Sequence, residues 1–171
     1  RQHYNQASRE TATARRRSDH LTLRRFHNAL KERLFRRALR RRAAPAAPAA
    51  PPAHVLDLAC GRGGDVSKWA ALRARQYTGV DIAGEALDVA RRRYAHLALP
   101  QRYACSDMVQ FRSNSKHDVI SIQFALHYAG ATPARLRALW AAAADQLAPG
   151  PDARVVCTFT DAYALARAAL T

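Results

Sequence analysis

The hydrophobic positions of this chain change period twice. Between residues 20 and 42, Leu23, Phe26, Leu30, Leu34 and Ala38 recur at spacings of three or four, the period of a helix with one apolar stripe. Ser18 or Asp19 is placed to cap its start, and Arg24, Arg33, Arg36, Arg37, Arg40 and Arg41 fall mostly off the stripe. The next stretch, AAPAAPAAPPA at 43–53, holds four prolines and no charge, so it reads as a semi-stiff linker or surface loop. From residue 54 onward short apolar runs alternate with helical ones. Strands are predicted at 54–60, 76–81, 101–107, 117–125 and 153–160. Helices are predicted at 65–75, 84–97 (with Ala86, Val89, Ala90 and Tyr94 to one side) and 133–149, with another opening at Asp161.

Strands that alternate with helices at this spacing build right-handed βαβ units, hence an α/β fold with an open, mostly parallel sheet covered on both faces. Ligands of such sheets bind beyond the carboxyl ends of the strands. Four chemically distinctive spots fall at predicted strand ends: Asp57 to Asp65, Asp81, Asp107, and Gln123 to Tyr128.

The first of these, DLACGRGGD, resembles a nucleotide turn but carries an acid at each end. A dinucleotide site would show G-x-G-x-x-G with pyrophosphate on the helix N-terminus. Here Asp65 stands where that helix starts, good N-cap chemistry that competes with phosphate for the same amides. Asp57 adds a second negative charge at the strand end. The ligand that fits carries cationic groups and no phosphate, as S-adenosylmethionine does with its sulfonium and ammonium. Asp81, at the end of the second strand, is where an acid reaches a ribose diol. Asp107 is placed to accept from an adenine amino group. The alternative for both is a plain cap on the following helix. Together with the turn they predict a Rossmann-like class I methyltransferase fold.

Charge adds a partner. The chain carries +15, and residues 1–42 hold 14 Lys/Arg against 3 Asp/Glu, so +11 sits on this N-terminal arm. A basic arm on a nearly balanced globule suits a polyanion, nucleic acid before membrane. Cys60, Cys105 and Cys157 are odd in number and show no metal-ligand spacing, so neither a disulfide framework nor a metal site is expected. No apolar run reaches membrane length, and no signal peptide is visible.

Several stretches, in order along nearly the whole chain, resemble the eukaryotic mRNA cap guanine-N7 methyltransferases. They are HYNQ (3–6), LRRFHNALK (23–31), DLACGRGGDVSKW (57–69), GVDIA (79–83), ARRRY (90–94), CSD (105–107) and SIQFALHY (121–128). The resemblance implies cofactor contacts from Lys31, the Ala59 backbone, Asp81, Asp107, Gln123 and Tyr128. It implies that Arg62, Lys68 and Arg93, with His27 and Asn28, cradle the cap phosphates, and that Phe124, His127 and Tyr128 form a wall for guanine. A triphosphate-bridged purine needs such basic groups and an aromatic face. The implied substrate is the capped 5′ end of mRNA, in the nucleus, with a capping guanylyltransferase or an activating subunit as further partners.

Guanine N7 has a lone pair and no proton to lose, so no acid, base or covalent nucleophile is assigned. Proximity and electrostatics are expected to suffice. The sequence departs from the family pattern at Ala59, where glycine is usual, at Arg62 for lysine, and at His27 for asparagine. The implied organisation is a basic arm and helix (1–42), a linker (43–53) and a methyltransferase domain (54–171). That domain is expected to lack the family's last two strands, leaving the fragment unstable or inactive alone. Two other readings stay open: a methyltransferase of another RNA or a small molecule, and a non-catalytic RNA-binding relic.

Overall fold

The computed structural model describes residues 21–39 and 53–160. The HYNQ stretch, the cap at Ser18 or Asp19, nearly all of the proline-rich segment and the helix opening at Asp161 lie outside the described residues. In chain order the elements are α1 (Leu21–Leu39), β1 (His54–Leu58), α2 (Val66–Ala71), β2 (Gln76–Asp81), α3 (Gly84–Tyr94), β3 (Gln101–Cys105), β4 (Val119–Gln123), α4 (Leu126–Ala129), α5 (Pro133–Gln146) and β5 (Arg154–Thr158). All four strand pairings are parallel, in the order β3-β2-β1-β4-β5. The order reverses between β1 and β4, and ligands of such sheets bind at that switch point.

Strand alternation sorts the core onto the two faces. Leu56, Leu58, Ile120 and Ile122 pack with Leu139 and Ala143 of α5. Val55, Tyr77 and Val119 pack on the other face with Phe35 of α1 and Trp69 of α2. Phe35 stacks on Trp69 with ring centroids 4.0 Å apart, and both side chains are fully buried. This stack holds the basic helix against the sheet domain.

The docked face of α1 coincides with the stripe the periodicity predicts only in the C-terminal half of the helix, at Leu34 and Ala38. Leu23, Phe26 and Leu30 are exposed, whereas His27, Lys31, Leu34, Phe35 and Ala38 face inward. The helix turns this way because its polar members find partners there: Lys31 reaches a carboxylate and His27 a ring, as described below. The predicted helix 65–75 is also shorter, since Arg73 adopts a left-handed φ of 57° and breaks it. The helix predicted at 84–97 ends at Tyr94 and that at 133–149 ends at Gln146. Before β4, His117 pairs with Leu147 as a bridge and is nearly fully buried. Neither of its ring nitrogens has a partner among the described residues, and burial pushes its pKa down to about 4.

One glycine of the sheet is fixed by close approach. A Cβ on Gly79 in β2 would lie 2.8 Å from Cys60 Sγ and 3.0 Å from the Tyr77 and Tyr103 rings. Gly79→Ala is therefore expected to destabilise the protein by about 2 kcal/mol, the overpacking range. Gly64→Ala, which meets nothing within 4 Å, should change it by less than about 0.5 kcal/mol. Urea unfolding of the two variants checks this; equal midpoints would contradict the packing described.

Candidate functional site

A cavity of about 470 Å³ opens at the carboxyl end of the sheet. Four strand ends converge on it. The β1–α2 turn supplies Ala59, Gly61 and Arg62; the end of β2 supplies Asp81, Ile82 and Ala83; the end of β3 supplies Ser106, Asp107 and Met108. The end of β4 and the following turn supply Gln123, Phe124, Ala125 and Tyr128, and Arg135 reaches in from α5. This volume and its mixed lining are those of a small-molecule site.

The turn owes its shape to left-handed backbone at Ala59 (φ 60°), Gly61 (φ 53°) and Gly63 (φ 70°). Gly63 also lets α3 approach, for a Cβ there would meet Ala90 and Tyr94 at 3.0 Å. Ala59 holds the same conformation with a side chain, at a cost of about 1–2 kcal/mol. The Cys60 amide ties the turn to β2 by donating to the Val80 carbonyl at 3.0 Å.

Asp81 anchors the turn from the next strand. One carboxylate oxygen accepts the Gly61 amide at 2.7 Å and the other accepts the Ala83 amide at 2.8 Å. A carboxylate has about four acceptor sites, so roughly two remain for a ligand hydroxyl pair. Asp107 is held in a similar way: Oδ1 accepts the Val109 amide at 2.8 Å, and Oδ2 takes a 2.5 Å ion pair from Arg135. Burial alone would raise its pKa, but the Arg135 guanidinium and backbone amides outweigh burial and hold it below the ordinary value.

The other two acids behave differently from expectation. Asp57 does not line the cavity; it shares the α1/α2 side of the sheet with Val55, is 2% exposed, and accepts the Tyr77 hydroxyl at 2.8 Å. Burial and then the Asp65 carboxylate push its pKa up to about 7. Asp65 precedes α2 in helical backbone conformation and makes no side-chain cap. Its carboxylate instead lies between Lys31 and Lys68, each 2.8 Å away. A carboxylate takes charge-assisted hydrogen bonds from ammonium groups and from N-cap amides alike, and here the two lysines hold it.

Those pairings redistribute the basic residues expected to meet ligand. The Lys31 and Lys68 ammonium groups are engaged with Asp65, Lys68 also donating to the Gly64 carbonyl at 3.1 Å. Arg93 lies over the Tyr94 ring, 5.9 Å from its centroid, and neither it nor Asn28 borders the cavity. Arg62 does border it. Gln123 also lines the cavity, but its amide is spent within the sheet, on β4 and β5: Nε2 donates to Ser121 Oγ and the Val156 carbonyl, and Oε1 accepts from Thr158.

Of the three residues expected to form an aromatic wall, Phe124 and Tyr128 line the cavity and His127 does not. Phe124 takes a left-handed φ of 54°, which turns the chain out of β4, and its ring lies 4.3 Å from that of His27 on α1. His127 and Tyr128 pair at 4.0 Å on the short helix α4, with Tyr128 45% exposed at the cavity. Arg135 is the charged cavity residue that the sequence reading did not assign; Ala86 and Met108, also in the lining, were not assigned either. Burial pushes the Cys60 thiol up, and the Cys60 side chain is half-buried in the turn. No cluster of metal-ligating side chains occurs among the described residues.

The site therefore offers carboxylates for hydroxyl and amino groups, an apolar wall of Ile82, Ala83 and Met108, and an aromatic face beside an arginine. An N-methyltransferase, NodS from Bradyrhizobium japonicum solved with S-adenosyl-L-homocysteine, superimposes with a TM-score of 0.68 at 20% identity over 91% of this chain and 70% of that one. CalS10, an amino pentose methyltransferase from Micromonospora echinaspora, matches with a TM-score of 0.57 at 28% identity over 78% of this chain and 50% of its own. The sheet order and these matches show a class I methyltransferase fold. Among curated proteins, mRNA cap guanine-N(7) methyltransferase 1 of Arabidopsis thaliana is 31% identical over 90% of this chain, and the Schizosaccharomyces pombe mRNA cap guanine-N(7) methyltransferase is 32% identical over 81%. The chain spans 45% and 39% of those relatives' lengths. The profile of the mRNA (guanine-N(7))-methyltransferase domain matches residues 1–170, and the chain belongs to that family.

Proposed function

We propose that this chain forms the cofactor-binding and cap-facing part of an mRNA cap guanine-N7 methyltransferase. The observation that carries the reading is one cavity in which Asp81 and Asp107, at adjacent strand ends, face the Phe124–Tyr128 segment and Arg62. S-adenosylmethionine fits this donor set. Asp81 would hold the ribose hydroxyls, Asp107 the adenine amino group, and the backbone at Ala59 and Gly61 the methionine end. When bound, the cofactor supplies an electrophilic methyl group on a sulfonium.

The rest falls to positioning. Phe124 and Tyr128 give the guanine base a face to stack on, and Arg62 provides a cation for the phosphate bridge. His27, its ring 4.3 Å from that of Phe124, ties α1 to the wall of the site. N7 needs no proton removed, so the raised pKa of Asp57 serves no base; that group is buried behind the turn under Tyr77. Orientation and preorganised polar groups would supply the acceleration. On this reading the protein works in the nucleus on capped transcripts, alongside the guanylyltransferase that makes the cap or a subunit that activates it.

Calorimetric titration of the natural polypeptide with S-adenosylhomocysteine and then with a cap dinucleotide tests the reading. Both should bind, with cap affinity falling as salt rises. Arg62→Ala should weaken the cap dinucleotide about tenfold or more while leaving S-adenosylhomocysteine within about twofold, since the lost contact is one charge-assisted pair. Cofactor binding with no response to capped RNA would point to a methyltransferase of another substrate.

A further inference from the structure

We propose that Arg135 is a positioning residue that fixes Asp107 for selection of the adenine base and couples it to the Tyr128 segment. The inference rests on the cofactor reading above and adds a residue that reading does not contain.

Three observations lead to it. First, one guanidinium bridges two parts of the cavity wall. Its NH2 group pairs with Asp107 Oδ2 at 2.5 Å, and its Nε donates to the Tyr128 carbonyl at 3.3 Å. Asp107, Tyr128 and Arg135 all line the cavity. Arg135 thus ties the end of β3 to α4, elements that come from opposite sides of the switch point.

Second, the helix itself does not want an arginine here. Thr132 is the N-cap of α5, and its hydroxyl accepts the Arg135 amide at 3.2 Å. Arg135 is therefore three residues beyond the cap, the position where Glu or Gln would complete a capping box. A cation in the first turn also opposes the helix dipole. Positions that break a local rule without local gain are where function is expected. The gain lies across the cavity, in the Asp107 pair.

Third, the pair leaves Asp107 fixed and anionic. Arg135 holds one oxygen and the Val109 amide the other, with the Gln110 amide also donating to the carboxylate, which leaves part of its four-site acceptor capacity for a ligand. A carboxylate held on both sides cannot rotate or take up a proton to suit a different base. An amino group at purine C6 donates to it; an oxo group there presents an acceptor to a fixed anion and is rejected. Lysine would keep the charge but has no rigid fork to span Asp107 and Tyr128.

The experiment compares S-adenosylhomocysteine with S-inosylhomocysteine, which carries the oxo group, by calorimetric titration of the natural polypeptide. The proteins are wild type, Arg135→Met and Arg135→Lys, each with a thermal melt. Wild type should prefer the adenosine ligand by about a hundredfold, as expected of a site built around one hydrogen-bonded group. Arg135→Met should cut that preference to about tenfold or less, and Arg135→Lys should fall between, because a merely structural residue would shift both affinities alike. An unchanged preference in Arg135→Met overturns the proposal while leaving the cofactor reading intact. Should Arg135→Met fail to fold, Arg135→Lys decides: a reduced preference supports the proposal and an unchanged one overturns it. A wild type that binds neither ligand overturns the cofactor reading and this proposal together.

Discussion

Asp81→Ala is expected to lower affinity for S-adenosylhomocysteine by at least about a hundredfold, the largest loss anticipated for a single side chain in this protein. The carboxylate has two tasks that cannot be separated. Its oxygens accept the Gly61 amide at 2.7 Å and the Ala83 amide at 2.8 Å, fixing the left-handed turn to the end of β2. Its remaining acceptor capacity faces the cavity. Hydrogen bonds to a charged group contribute about 1.5–3 kcal/mol each, so losing two to a ribose diol already gives the stated factor. Two orphaned amides should also cost on the order of 2 kcal/mol of stability. Asp81→Asn keeps one acceptor but sets its amide nitrogen against a backbone N–H, so it should not rescue binding. Titration with a 2′-deoxy analogue separates the tasks: it should bind wild type weakly, yet no worse than the parent ligand in Asp81→Ala. Binding within about threefold of wild type would remove Asp81 from the site.

The strand ends that build this cavity were legible because parallel strands read as short apolar runs and each here stops at an acid or a polar aromatic stretch. Asp81, Asp107, Phe124 and Tyr128 were all found that way, and the cavity brings them together. What stayed hidden depends on partners far along the chain. The periodicity of α1 pointed to Leu23, Phe26, Leu30, Leu34 and Ala38 as its docked face; Leu34 and Ala38 do pack inward, while Lys31, paired with a carboxylate 34 residues away, and His27 take the inward places toward the N-terminus. The same pairing took Asp65 away from capping. Asp57 looked like a second ligand for a cation, but strand alternation turns it beneath Tyr77, a consequence of register that the motif does not reveal. The four-residue helix α4 is too short to show a period. Arg135 lies 28 residues from Asp107, and its one local trace is a threonine followed three residues later by arginine where glutamate would be expected.

Those hidden burials predict an unusual pH response: stability should vary little between about pH 4 and 7 in wild type and strongly, in opposite senses, in two variants. Asp57 has its pKa raised to about 7 by burial and by the Asp65 carboxylate, with Tyr77, Ser121 and Lys31 acting against them. The folded state then binds a proton that the unfolded chain releases. Its contribution is fully present below about pH 4 and is lost as pH rises through about 7. His117 has its pKa lowered to about 4 by burial and His54, with Asp118 opposing. Here the unfolded chain takes the proton, so stability is present above about pH 6.5 and is lost as pH falls toward 4. The windows overlap and the signs are opposite. Each group is worth on the order of 3 kcal/mol across its window, so the two largely cancel. Asp57→Asn leaves the histidine alone, and the protein should weaken on acidification. His117→Leu removes an imidazole without partners among the described residues, and the protein should strengthen on acidification over the same range. Urea midpoints at half-unit steps for the three proteins give the slopes directly. Parallel curves would mean that neither side chain is buried as described, while a flat curve in wild type with diverging variants follows from two buried groups whose proton uptake on folding has opposite signs.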